Sequence, residues 1–111
     1  MTNLASQACK PIPKGTASLG REKATELLQE IPDWELTHST GTISREFRFK
    51  DFHQTMAFVN AVAWIAHQTD HHPDLEVGYN RCKVSFSTHS IGGLSENDFI
   101  CAARINSLGG L

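Results

Sequence analysis

Three of the six histidines in this 111-residue chain fall within six positions, at residues 67, 71 and 72. Imidazole titrates near neutrality, so a histidine can both give and take a proton at physiological pH. His71 and His72 are adjacent and precede Pro73, and His89 follows at the end of a later apolar alternation. Two or three imidazoles near one substrate predict general acid–base chemistry in which two protons are moved.

The residues around the histidine pair are expected to orient it. Pro73 disfavours the helical conformation at His72, so the preceding helix should end at about His71 and direct neighbouring side chains into a common space. The Asp70 carboxylate is expected to hold one imidazole in a chosen tautomer. His89 should face the pair, because its strand is predicted to pair with the strand that leaves Pro73.

A metal site is the alternative chemistry for these histidines. His67 and His71 are four residues apart, as zinc-binding histidines on one helix face are, and His72 or His89 would supply a third ligand. The sequence has no H-E-x-x-H motif and no suitably spaced cysteine, and the pair lies at a helix end. Acid–base chemistry without a metal is therefore favoured. His38 and His53, isolated at polar positions, are interpreted as ordinary surface residues.

Apolar periodicity predicts the elements that position these side chains. Helical spacing covers residues 20–31 and 52–71, and a last helix begins after Ser95 and continues towards Gly109-Gly110. Alternating apolar residues predict two hairpins, one turning at Gly41 and the other around Asn80-Arg81. The order is α-β-β-α-β-β-α, which indicates an α+β fold: a four-stranded antiparallel sheet with helices packed on one face.

Two residues within these elements stand out. Asp98 lies three positions after Ser95, so the two are predicted to form a capping box, which by itself accounts for a carboxylate at that position. Arg45 is in phase with the apolar residues Ile43 and Phe47 of its strand, which is unusual for a strand that packs on a core.

Composition narrows the classes of function. The net charge is −2 without a Lys/Arg cluster, which argues against nucleic acid as a ligand, and no apolar run is long enough to span a bilayer. The first residues lack the pattern of a signal peptide, and three cysteines in no metal-type arrangement indicate free thiols in a reducing cytoplasm. Residues 1–18 are predicted to be a flexible arm, and residues 19–111 a single domain.

Residues 20–108 resemble the pterin-4a-carbinolamine dehydratase family. The resemblance is carried by the order of five motifs, which are DHHPD, YN, STH, GGLSENDF and AARIN. The resemblance implies a hydro-lyase that converts 4a-hydroxytetrahydropterin, released by aromatic amino acid hydroxylases, to quinonoid dihydropterin. The pterin would be the substrate, with no metal and no bound cofactor. The family's catalytic histidines fall on His71, His72 and His89, and its last-helix aspartate falls on Asp98, near the pterin. The family also implies a homo-oligomer, either a dimer or a tetramer.

One position departs from the expected family pattern. A glutamate is expected one helical turn before the histidine pair, and this chain has His67 there, which is predicted to bind or orient the substrate together with Asp70, Pro73 and Asp98. An acidic residue would raise the pKa of its neighbour and a histidine would not, so the sequence leaves open which group orients His71.

Two other functions are compatible with the same fold: a non-catalytic binding or dimerisation module, and a pterin-related role in molybdenum cofactor metabolism.

Overall fold

The computed structural model describes residues 3–37 and 39–108. Within them the chain has the predicted α+β fold, and its strands form one antiparallel sheet in the order β1-β2-β4-β3. His38 and Gly109-Gly110 lie outside the described residues. The elements are α1 (Arg21–Leu28), β1 (Glu35–Thr37), β2 (Thr42–Arg48), α2 (Phe52–Thr69), β3 (Asp74–Val77), β4 (Arg81–Phe86) and α3 (Glu96–Asn106).

The hydrophobic core lies between one face of the sheet and the helices. In the central strand pair Ile43 of β2 lies opposite Phe86 of β4, and both side chains are almost completely buried. Because side chains alternate along a strand, the residues between the buried ones point to the other face. The helices contribute further large buried side chains, among them Phe58 and Val62 of α2 and Phe99, Ile100 and Ile105 of α3.

Arg45 shares the core face of β2, as its phase predicts, and lies opposite Val84. Its guanidinium lies over the Phe47 ring, 4.3 Å from the centroid, and donates to Asn106 Oδ1 at 2.8 Å. The same oxygen accepts the indole N–H of Trp34 at 2.8 Å. The charge of Arg45 is therefore tolerated, because the guanidinium is hydrogen-bonded and lies over an aromatic ring at the margin of the core.

The N-terminal segment differs from the prediction that residues 1–18 form a flexible arm. Residues 3–10 do not form a free arm: Leu4 is buried in the core, and the backbone of Lys10 exchanges two hydrogen bonds with the Asn97 side chain of α3, at 3.0 and 2.7 Å. Arg104 also donates to the carbonyl of Gln7. The sequence did not reveal these contacts because a segment with two prolines and few large apolar groups lacks helical or strand periodicity.

The longest helix, α2, is stabilised at its start by Asp51, whose carboxylate accepts the Gln54 N–H at 2.9 Å. Its 18 residues cover the sheet, with Phe58, Val62 and Ile65 facing inwards. Neither α2 nor another helix in the described ranges combines the length and apolar character needed to cross a membrane.

Candidate active site

The end of α2 sends neighbouring side chains in different directions. Thr69 is the last helical residue, and Asp70 adopts the left-handed conformation (φ 53°, ψ 41°), which turns the chain out of the helix. The N–H groups of Asp70 and His71 both donate to the Ala66 carbonyl. After this turn His71 is partly buried, whereas Asp70 and His72 are exposed.

His71 forms a short pair with Asp98 at the start of α3. The distance between His71 Nε2 and Asp98 Oδ1 is 2.6 Å, and the two side chains are 12% and 0% exposed. A carboxylate can only accept, so Nε2 carries the hydrogen and Nδ1 is the nitrogen available to a ligand. The fold thereby fixes both the position of the imidazole and its tautomer.

The other oxygen of Asp98 is occupied as well. Asp98 Oδ2 accepts the Thr88 hydroxyl at 2.8 Å and the Ser95 N–H at 2.9 Å, so the predicted capping box is present. Thr88 Oγ1 also lies 2.7 Å from Ser95 Oγ. One carboxylate thus uses Oδ2 to begin a helix and Oδ1 to hold a histidine, which joins the two roles that the sequence presented as alternatives.

An aromatic ring completes the support of His71. The Phe86 ring is nearly parallel to the imidazole, with an interplanar angle of 8° and a centroid distance of 5.7 Å. Phe86 is 1% exposed, so it is a rigid base for the stack. Phe86 and Thr88 were not among the predicted site residues. The signal for Thr88 was its place in the STH motif, directly before His89.

The surroundings of His71 favour its charged form. Burial of the ring lowers its pKa, but the hydrogen bond to Asp98 and the charge of that carboxylate outweigh this effect, with smaller contributions from the charges of Cys9 and Asp70. The net result is a pKa raised from the ordinary value of 6.5. His71 therefore keeps its proton at higher pH than a free imidazole does.

The other two predicted histidines are brought together beside this pair. The rings of His72 and His89 are 6.1 Å apart, with an angle of 25° between their planes, and both are exposed. His72 Nδ1 lies 3.5 Å from the Pro73 carbonyl oxygen, at the limit of a hydrogen bond. His89 begins a short 3₁₀ helix directly after Thr88, which binds Asp98. His72 and His89 therefore lie close to each other, and His89 follows the Thr88 that binds Asp98, the partner of His71.

A cavity of about 300 Å³ lies beside His89. Its lining includes His89, the supporting ring of Phe86, and the polar side chains of Asp74 and Ser85. That volume is at the lower end of the range for small-molecule sites. A larger hollow, of about 580 Å³, lies over Glu35, Lys83 and neighbouring polar groups and contains no histidine, so the cavity beside His89 is the better candidate.

Two residues that the sequence assigned to orientation lie elsewhere. Asp70 was expected to hold an imidazole, but the carboxylate that contacts His71 belongs to Asp98, and Asp70 acts on it through charge alone. The left-handed turn at Asp70 explains this difference, because it leaves that side chain in solvent. His67 is also exposed and stacks on Trp64, with centroids 5.5 Å apart. Among residues 3–37 and 39–108 no three His, Cys, Asp or Glu side chains are grouped as a metal site requires.

Comparisons with known proteins identify the family of this chain. Residues 17–108 match the family model described as pterin 4 alpha carbinolamine dehydratase. A protein of Nitrosospira multiformis is 54% identical over 106 residues, which cover 96% of this chain and 92% of the relative. One of Stenotrophomonas maltophilia is 57% identical over 105 residues, which cover 95% and 90%. Both carry the name pterin-4-alpha-carbinolamine dehydratase as a provisional assignment.

Solved structures share the fold. The crystal structure of a transcriptional coactivator/pterin dehydratase from Brucella melitensis has a TM-score of 0.79 at 33% identity, covering 84% of this chain and 99% of that one. A pterin dehydratase-like protein described as a RuBisCO assembly factor in the alpha-carboxysome has a TM-score of 0.61 at 24% identity, covering 70% and 90%, which shows likeness of fold alone. With its family match and its near full-length relatives, the chain belongs to the pterin 4 alpha carbinolamine dehydratase family.

Proposed function

We propose that this protein is a hydro-lyase that dehydrates 4a-hydroxytetrahydropterin to quinonoid dihydropterin, and so recycles the pterin cofactor of aromatic amino acid hydroxylases. The observation that carries the proposal is the His71–Asp98 pair, a fixed imidazole with a raised pKa, placed beside two exposed histidines. The reaction needs an acid and a base near one small substrate, and it needs no metal and no bound cofactor.

The proposed chemistry moves two protons. The hydroxyl at C4a leaves as water after it receives a proton, the hydrogen at N5 is removed by a base, and the C4a–N5 double bond forms. His71 suits the acid because its charged form is stabilised, and Nδ1 is the nitrogen that would deliver the proton. His89, which lines the cavity, would take the N5 proton, and His72 would shape the site or share the acid role.

A coupled kinetic assay tests this proposal. The carbinolamine is generated in situ by a phenylalanine hydroxylase, and its loss is followed by absorbance with and without the protein. We expect acceleration over the spontaneous rate, reduced about 10²-fold or more in His71→Ala and in His89→Ala. His53→Ala is the matched control, because His53 is an exposed histidine of α2 outside the site, and it should keep full activity.

The second candidate is a binding module, because the Brucella melitensis relative is described as a transcriptional coactivator as well as a pterin dehydratase. The observation that favours it is Trp64, which is 59% exposed on α2. No acceleration by the folded wild type would reject the dehydratase and leave this candidate. Equal activity in wild type, His71→Ala and His89→Ala would reject the assigned proton carriers instead.

We also propose that the protein works as a homo-oligomer in the cytoplasm. Support comes from Trp64 and from Val77 on the edge strand β3, which is 42% exposed, because large apolar groups and open strand edges favour association. Light scattering after gel filtration should give the mass of a dimer or tetramer. The mass of a single chain at micromolar concentration would contradict this part of the proposal.

A further inference from the structure

Two cysteines from distant parts of the chain meet behind the histidine site. Cys9 of the N-terminal segment and Cys101 of α3 have their sulfur atoms 3.6 Å apart. Cys101 is buried, whereas Cys9 is partly exposed. The third cysteine, Cys82, is buried on β4. The proposed dehydration uses none of these thiols.

Both thiols are held in place by their surroundings. The Cys101 thiol contacts the Thr69 hydroxyl at 3.5 Å, and Cys9 lies 3.9 Å from the Asn97 carbonyl oxygen. The two hydrogen bonds between Lys10 and Asn97 fix the chain directly after Cys9. A disulfide needs the sulfurs about 2 Å apart, so a small movement of the partly exposed segment is sufficient.

We propose that Cys9 and Cys101 form a reversible disulfide that fastens the N-terminal segment to α3. The bond would replace a contact between free thiols by a covalent link between residues 92 positions apart in the chain. A link that closes so long a loop restricts the unfolded chain strongly and should therefore stabilise the fold. The proposal does not depend on the dehydratase activity.

The structure assigns different roles to the two sulfurs. The hydrogen bond with Cys101, together with the charges of His71 and Arg104, lowers the pKa of Cys9 to about 7 against the effect of burial. The pKa of Cys101 is raised by the hydrogen bond to Cys9 and by burial. Cys9 is thus the more reactive and more accessible thiol, and Cys101 is the resolving partner.

The oxidant is a small disulfide such as oxidised glutathione. The Cys9 thiolate attacks one sulfur of the small disulfide, forms a mixed disulfide and releases one thiolate. Cys101, as it loses its proton, then attacks the Cys9 sulfur, forms the bond between residues 9 and 101, and releases the second thiolate, which takes up a proton. Two protein thiols are oxidised and one small disulfide is reduced to two thiols.

The test treats the reduced, folded protein with oxidised glutathione at pH 7.5, blocks remaining thiols with N-ethylmaleimide and maps the peptides by mass spectrometry. We expect a peptide linked through Cys9 and Cys101, with Cys82 alkylated after unfolding. The melting temperature should rise by about 5 °C or more and return on reduction. Cys9→Ser should show neither the link nor the rise.

Cys101→Ala separates the two steps of the reaction, because the mixed disulfide with glutathione should accumulate on Cys9. If that buried substitution prevents folding, the comparison of wild type with Cys9→Ser decides alone. The proposal is overturned if glutathione stays on Cys9 of the wild type, if Cys9 does not react, or if the link appears only after oxidation in denaturant.

Discussion

His71 and His72 are adjacent in the chain and differ in nearly every physical respect. The His71 ring is largely buried, bonded to Asp98 at 2.6 Å and stacked on Phe86. The His72 ring is exposed, with a marginal contact to Pro73 and the His89 ring 6.1 Å away. The left-handed turn at Asp70 produces this difference.

The difference indicates that the histidines have different roles in the candidate site. His71 is positioned by the fold before any substrate binds, because its partners are themselves buried and hydrogen-bonded. His72 and His89 have few protein contacts to hold their rings, so their final orientation depends on the substrate. A preorganised group contributes to catalysis without the cost of ordering it during the reaction. We therefore expect substitutions of the residues that hold His71 to lower the rate more than substitutions around His72 or His89.

The largest effect is expected from Asp98→Asn, which removes the charge that fixes His71. The asparagine side chain has one acceptor oxygen, and its NH2 group would face donors that the second carboxylate oxygen now accepts. At least one buried donor of His71, Thr88 or Ser95 would therefore lose its acceptor. We expect the free energy of unfolding to fall by about 3 kcal/mol and the rate to fall about 10²-fold. Denaturant titration and the coupled assay measure the two losses.

Glu96→Gln is the matched control for that substitution. Glu96 is an exposed carboxylate in the first turn of the same helix, so its neutralisation should change stability by less than about 1 kcal/mol and leave the rate unchanged. If Asp98→Asn behaves like Glu96→Gln in both measurements, the contrast between a fixed and a free histidine is wrong.

A smaller effect is expected from Thr88→Val, which keeps the shape of the side chain but removes its hydroxyl. Asp98 Oδ2 keeps the Ser95 N–H and loses one of its two donors. We expect a loss of about 1 kcal/mol in stability and about a tenfold loss in rate. Thr37→Val, at an exposed position of β1, should change neither quantity by a comparable amount.

Recovery of the rate by Thr88→Ser would show that the hydroxyl positions Asp98. An equal rate for Thr88→Val and the wild type would show that the Ser95 N–H alone is sufficient.

The fold could be predicted from the sequence because each element has its own periodicity and its own boundary residues. The apolar stripe of α2 and the alternation of β4 are properties of short stretches, and they specify which faces must be buried. The packed position of Leu4 and the Cys9–Cys101 contact could not be predicted in the same way. They depend on where a segment without periodicity meets α3.

The candidate site was predicted in its membership and only partly in its contacts. The sequence identified the three histidines and Asp98, but it gave the orienting contact to Asp70, the nearer carboxylate along the chain. Only the turn geometry at Asp70 decides between the two, and a left-handed aspartate has no clear pattern in the sequence. The capping pattern of Asp98 gives no sign of its contact with His71. Oδ2 accepts the Ser95 N–H of the cap, and Oδ1 accepts the His71 ring N–H.

The titration of His71 tests whether Asp98 sets the protonation of its ring. The raised pKa of His71 predicts that its ring titrates above 6.5 in nuclear magnetic resonance spectra of the wild type. In Asp98→Asn the hydrogen bond to a carboxylate and its charge are lost while burial remains, so the pKa of His71 should fall. If His71 is the acid, the high-pH limb of the wild-type rate profile should follow this titration. An unchanged His71 titration in Asp98→Asn would contradict the assigned cause.

The smallest effect is expected in the pH dependence of stability. Because the folded state raises the pKa of His71, it binds that proton more tightly than the unfolded state does. This contribution is fully present below the unfolded pKa and is lost as the pH rises through the folded pKa. The stability difference between wild type and His71→Gln should therefore shrink from pH 6 upwards. Denaturant titrations of both proteins across that range measure it, and a difference that does not change with pH would show that the charge on His71 is not coupled to folding.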